Sequence, residues 1–175
     1  MRHRRAASSH WIRLNRGQSL VELAISLTVM LLLLSGAVSF GMAFFSYVAM
    51  RDAAQEGALF GSFNPCLDEN SNGDCDVSPL EPVNEPGIRT RVRASSQRPV
   101  DFSDPTVIPD AYITAVATNG QACEGSVSGV PNAVRVTVQY DYPIFMPFLG
   151  AIIGDDHIHL TAEVTDTILE PRCPP

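Results

Sequence analysis

The chain has 175 residues, room for about one domain, and a formal net charge of −7. That charge is unevenly placed. Arg2, Arg4, Arg5, Arg13 and Arg16 precede the first acid, Glu22, whereas from Arg51 onward 7 arginines face 18 acids. An acidic body argues against nucleic-acid binding, which needs a basic face, and a basic head directly before an apolar stretch reads as a topology signal.

Residues 1–17 form a polar, basic leader. From Leu23 to Met50 there are 28 residues without a charge, richest at Leu31-Leu32-Leu33-Leu34. A bilayer core takes roughly 20 apolar residues as helix, and backbone groups in lipid must bond internally, so this segment is expected to be a membrane helix. Arginine before it and acid after it put the N-terminus in the cytoplasm and the rest of the chain outside. The run is too long for an ordinary secretory signal, so a retained anchor is expected. Ser19 with Glu22 three residues later has the pattern of a capping box, which starts the helix near Ser19. Beyond the lipid core the helical pattern continues, with Arg51, Asp52, Gln55 and Glu56 polar and Ala53, Ala54, Gly57 and Ala58 small. It should stop between Gly61 and Pro65.

Pro65 to Pro86 reads as a loop. A short amphipathic helix follows, with Asn84 as cap, Pro86 near its start, and Ile88 and Val92 on one face. Arg89, Arg91 and Arg93 are expected to be mostly solvated. Pro99 to Pro109 is a second connection. The last third reads as strands: Ala111–Thr118, Val134–Tyr140 in strict alternation, and Ile158–Val164, extended by Ile168. Between the last two lies the apolar run from Pro143 to Ile153, too short to span a membrane and read as a hairpin connection packing on the sheet or touching the membrane surface. The expected fold is therefore α+β: a long N-terminal transmembrane helix, then a small exported domain with an antiparallel sheet of about three or more strands. The expected division is 1–17 leader, 18–62 helix, 63–175 exported acidic domain.

Cys66, Cys75, Cys123 and Cys173 all follow the anchor. An even count in an exported domain favours two disulfides, with three pairings open. Cys66 and Cys75 flank a turn-rich loop and are favoured as one pair, leaving Cys123 with Cys173. Zinc is the weaker reading, since no CxxC pair is present.

The leader–helix junction reads Arg16-Gly17-Gln18-Ser19-Leu20-Val21-Glu22-Leu23. It resembles the processing site of type IV pilin-like precursors, in which a membrane-embedded prepilin peptidase cuts after a glycine and the fifth mature residue is glutamate. The resemblance puts cleavage between Gly17 and Gln18 and makes Glu22 that fifth residue. It also implies that Glu22 pairs with the new amine of a neighbouring subunit and sets the register of assembly. A carboxylate at the edge of a lipid-buried helix needs such a partner; the plainer alternative is a helix-capping role at the membrane boundary. From Gly17 to Gly61 the chain is closer still to the TadE-like family, through Gly17-Gln18-Ser19-Leu20-Val21-Glu22-Leu23-Ala24, Leu31 to Leu34, Phe40-Gly41, Tyr47-Val48 and Arg51 to Ala58. These are minor pilin-like (pseudopilin) components of the tight-adherence pilus system. The resemblance implies an assembly role supporting adhesion, in the bacterial inner membrane, with prepilin peptidase, other pilin-like subunits and the assembly platform as partners besides the bilayer. A minor pseudopilin of a type II secretion system fits less well, because the Phe40-Gly41 and Arg51 to Ala58 patterns favour the tight-adherence branch.

Two further constellations carry less weight. Asp68, Asn70, Asn72, Asp74 and Asp76, with Gly73, resemble a calcium loop. Pro79 stands where its bidentate Glu belongs, so a polar turn closed by Cys66–Cys75 is favoured over calcium. Asp155, His157 and His159 would share one strand face and could hold a metal, although a solvated face is the more ordinary reading. No phosphate loop, GxSxG or HExxH motif occurs, and an enzyme is not expected. The competing class is a membrane-anchored binding module with a possible calcium-stabilised loop, in which the helix is only a tether and cleavage after Gly17 has no purpose.

Overall fold

The computed structural model describes residues 15–66, 83–95, 98–119, 126–127, 129–144 and 154–169. Helix α1 runs Asn15–Phe63 and α2 Glu85–Ser95; a 3-10 turn at Asp110–Tyr112 leads into β1, Ile113–Ala117. Then come β2 (Ser126–Val127), β3 (Val130–Pro131), β4 (Ala133–Pro143) and β5 (His157–Thr167). The main sheet is antiparallel in the order β1-β4-β5, and β2 pairs with β3 in a small hairpin. This is the α+β architecture read from the sequence. The chain forms two compact units, residues 1–40 and 41–175.

In the first unit the side chains of α1 are exposed from Gly17 through Leu34. Hydroxyls on this stretch bond back into the helix: Ser26 Oγ donates to the Glu22 carbonyl at 2.9 Å and Thr28 Oγ1 to the Ala24 carbonyl at 2.8 Å. An apolar helix can thus carry them without unsatisfied donors in lipid. It is a helix long and apolar enough to cross a membrane. One expectation fails here. The chain is already helical at Asn15, the first described residue, so Ser19 and Glu22 lie inside the helix and not at its cap. Nothing in Arg16-Gly17-Gln18 breaks a helix as proline would, so the turn continues backward through them.

In the second unit the rest of α1 turns a face of small residues, Ala49, Ala53, Ala54 and Ala58, into the core. α2 adds Ile88 and Val92, and the sheet adds Ile113, Val134, Val136, Val138 and Ala162. Full burial of an Ile or Val is worth about 1.5–3 kcal/mol, so the two α2 residues alone give that helix its reason to dock. Asn84 caps α2 as expected: its Oδ1 accepts from the Gly87 N–H at 3.0 Å. On β4 the strict alternation translates into burial of Val134, Val136 and Val138. Leu169 N–H donates to the Ser62 carbonyl at 2.9 Å, tying the chain after β5 to the last turn of α1.

Three details differ from the sequence reading. β1 starts at Ile113 and not at Ala111, because the preceding residues form the 3-10 turn. The β2–β3 hairpin was not anticipated; Gly129, at φ +81°, supplies its left-handed turn residue. Arg93 is not solvated. Its side chain is 18% exposed, and it donates to the carbonyls of Phe102 at 2.8 Å and Ile108 at 3.0 Å while pairing with Asp110. The connection between α2 and β1 needs a donor for carbonyls that no strand partner satisfies, and Arg93 provides it.

Candidate functional site

The Gly17–Gln18 bond lies in the first turns of α1, with both residues exposed. A β-carbon on Gly17 would meet nothing within 4 Å. Glycine in a helix costs roughly 0.5–1 kcal/mol relative to alanine, so Gly17 carries a folding cost that packing does not require. The contrast with Gly57 and Gly61 is direct. There a β-carbon would come within 2.6 Å of Val92 Cγ2 and 2.8 Å of Ile88 Cδ1, so those glycines serve the close approach of α1 to α2 and β4. Glu22 follows Gly17 along the helix and is exposed on the apolar segment.

The outer face of the sheet carries a polar network. Asp141 on β4 stands directly opposite His159 on β5. Its carboxylate bonds His159 Nδ1 and accepts from the Tyr112 hydroxyl at 2.9 Å. The hydrogen bond from His159, then that from Tyr112, holds Asp141 below the ordinary carboxylate range. The same bond to Asp141, then its charge, raises His159 above the ordinary imidazole value. Asp155 precedes the strand, because the chain turns at Gly154 (φ +82°) and β5 starts only at His157. Asp155 clusters instead with Asp156 and His157, all exposed, with ligand atoms within 4.8 Å of one another. His159 is joined to Asp141, with Nε2 4.0 Å from Asp155 Oδ2. Asp155 therefore stands near both histidines, clustered with His157 and 4.0 Å from His159.

Comparison with known proteins bears on the stretch that contains this junction. Residues 17–59 match the family described as TadE-like protein. The match is to a pilin-like family associated with the tight-adherence pilus, and it coincides with the stretch whose motifs carry that resemblance in the sequence. No curated protein and no solved structure matches the chain.

The TadE-like segment spans all of α1 from Gly17 to Leu59, including Gln18 and Glu22. The sheet and its polar network lie outside the match. Cys66, just past the end of α1, is disulfide-bonded. Cys75, Cys123 and Cys173 lie outside the described residues, as do the calcium-loop candidates Asp68, Asn70, Asn72, Asp74 and Asp76. Most of the apolar run from Pro143 to Ile153 lies outside them too, although Ile144 N–H donates to the Asp156 carbonyl at 2.9 Å where the β4–β5 connection closes. Sequence reasoning missed the roles of Arg93 and of the Tyr112–Asp141–His159 network, since both depend on which residues the fold brings together.

Proposed function

We propose that this chain is a minor pilin-like subunit required to assemble a tight-adherence pilus that supports adhesion. A prepilin peptidase cuts between Gly17 and Gln18, removing the basic leader. The mature chain sits once through the inner membrane, N-terminus on the cytoplasmic side, with the acidic domain exported. Glu22 then faces the Gln18 amine of a neighbouring pilin-like subunit, and the pairing recruits the subunit to the assembly platform. The role is structural; it calls for no catalytic group and no cofactor, and the Asp68–Asp76 calcium chemistry is not part of it. In the exported domain Cys66 pairs with Cys75 and Cys123 with Cys173.

The observation that carries this reading is the junction itself. A glycine that packing does not require precedes, at the right interval, a glutamate on an apolar helix, and both fall inside the TadE-like match. Separating the two residues tests it. Gly17→Val should block cleavage and leave the leader attached, because a peptidase pocket at the scissile bond has little room for a side chain. Glu22→Ala should leave cleavage intact and reduce piliation, with little effect on the helix, since alanine is a good helix former. Normal surface filaments from both variants in the native host would reject the pilin-like role and leave a tethered binding domain.

A further inference from the structure

An open groove of about 1070 Å³ lies along α1 within the second unit, and its chemistry changes along its length. Met42, Phe45 and Val48 line the early part, and Asp52 and Glu56 follow one and two turns further on. The second wall includes Arg98, from the connection after α2. Ile88 packs on Gly61 and Val92 on Gly57, so α2 runs antiparallel to α1. The chain leaving α2 thus heads back toward the apolar part of the groove, and brings the cation of Arg98 with it.

The change of chemistry coincides with the end of the membrane run. The 28 uncharged residues Leu23–Met50 rise about 42 Å at ~1.5 Å each. That matches a bilayer with both headgroup layers, roughly 40–45 Å. Met42, Phe45 and Val48 therefore stand at the margin of the hydrocarbon, and Asp52 and Glu56 follow at the level of the headgroups. The groove is continuous with the lipid-facing surface of the helix, and its occupant must be apolar at one end and charged at the other.

The charges say which headgroup fits. Asp52 and Glu56 share one face of the helix at i, i+4. Asp52 is exposed and makes no ion pair among the described residues. Glu56 lies 3.8 Å from Arg91 with both side chains about half exposed, a weak hold. Arg98 carries five donors, more than one partner occupies. Two carboxylates and one guanidinium repel a headgroup that is only anionic. They match one that carries a phosphate and, beyond it, an ammonium.

We propose that this groove binds one aminophospholipid, with its acyl chain along Met42, Phe45 and Val48, its phosphate at Arg98 and its ammonium at Asp52 and Glu56. The proposal rests on the single-pass anchor that the pilin-like reading uses, and is independent of cleavage after Gly17.

The test uses the full chain in vesicles of equal parts dioleoyl phosphatidylethanolamine and dioleoyl phosphatidylglycerol. The chain is extracted in mild detergent, and retained lipid is read by native mass spectrometry. One phosphatidylethanolamine per chain is expected, enriched about two- to fivefold over phosphatidylglycerol, the effect of one exposed ion pair. Asp52→Lys, a mild change on an exposed helix face, should reverse the preference toward phosphatidylglycerol. Arg98→Gln should lower retention of both lipids. Equal retention of the two lipids with no response to Asp52→Lys, as annular lipid gives, would overturn the proposal, as would a lipid-free dimer. Resistance to alkaline extraction is read from the same vesicles. An inserted chain without selectivity removes the lipid site alone, whereas a chain that alkali extracts removes the anchor and the pilin-like reading with it.

Discussion

A β-carbon on Gly57 would sit 2.6 Å from Val92 Cγ2, closer than any relaxed contact allows. Ile88 Cγ2 at 3.3 Å and Val136 Cγ1 at 3.5 Å close the other sides, so the helix α1, the helix α2 and the strand β4 meet at this glycine. Valine is stiff about χ1 and Val92 is fully buried, so it cannot swing away cheaply.

Gly57→Ala is therefore expected to destabilise the domain despite alanine's advantage in a helix. Overpacking costs about 1–3 kcal/mol, against a propensity gain of about 1 kcal/mol. Gly41, where a β-carbon meets nothing within 4 Å, is the control: Gly41→Ala should be neutral or stabilising. Urea denaturation of the full chain in detergent checks both. A Gly57→Ala variant as stable as Gly41→Ala would contradict the packing described.

Arg93 gives the second expectation. Its guanidinium satisfies the carbonyls of Phe102 and Ile108, residues 9 and 15 positions away. Arg93→Met keeps the apolar stem and leaves those carbonyls without their donor, a loss of about 1–3 kcal/mol. Hydrogen exchange should speed up selectively between Val100 and Tyr112. Arg93→Lys should recover only part, because an ammonium lacks the planar fork that reaches both carbonyls. Unchanged exchange in Arg93→Met would show that the connection holds itself.

Much of this was legible in the sequence, and the exceptions share a cause. Val134 to Val138 alternate because only one face of β4 is buried, so the pattern survives in the residues themselves. Asn84, Ile88 and Val92 declare α2 because capping and helical periodicity are local. The partners of Arg93 and of Asp141 are not local. Asp141 and His159 meet only because the β4–β5 register sets them opposite, 18 residues apart. The start of α1 was misplaced because a capping pattern at Ser19 and Glu22 competes with an uninterrupted helix, and the uninterrupted helix prevails. The hairpin β2–β3 has two residues per strand, too few to show a period.

The Asp141–His159 pair makes stability depend on pH. His159 is raised from its ordinary 6.5, so the stabilisation it brings is complete below about that pH and is lost as pH rises through its folded value. Asp141 is lowered from 3.8, so its contribution is complete above that pH and is lost only as pH falls through its folded value. On the alkaline side the wild type should therefore converge on His159→Gln. Urea midpoints measured from pH 5 to pH 9 should show the difference largest near pH 5 and shrinking above neutrality. A difference constant across that range would contradict the pairing.

Processing at the head of α1 can be read from the mass of the membrane-extracted chain's N-terminal peptide. In cells with an active prepilin peptidase the mature chain should begin at Gln18, with Glu22 as its fifth residue. Recovery of the membrane-bound chain still carrying its leader through Gly17 would rule out the pilin-like role, as would release of the domain by cleavage beyond the apolar helix.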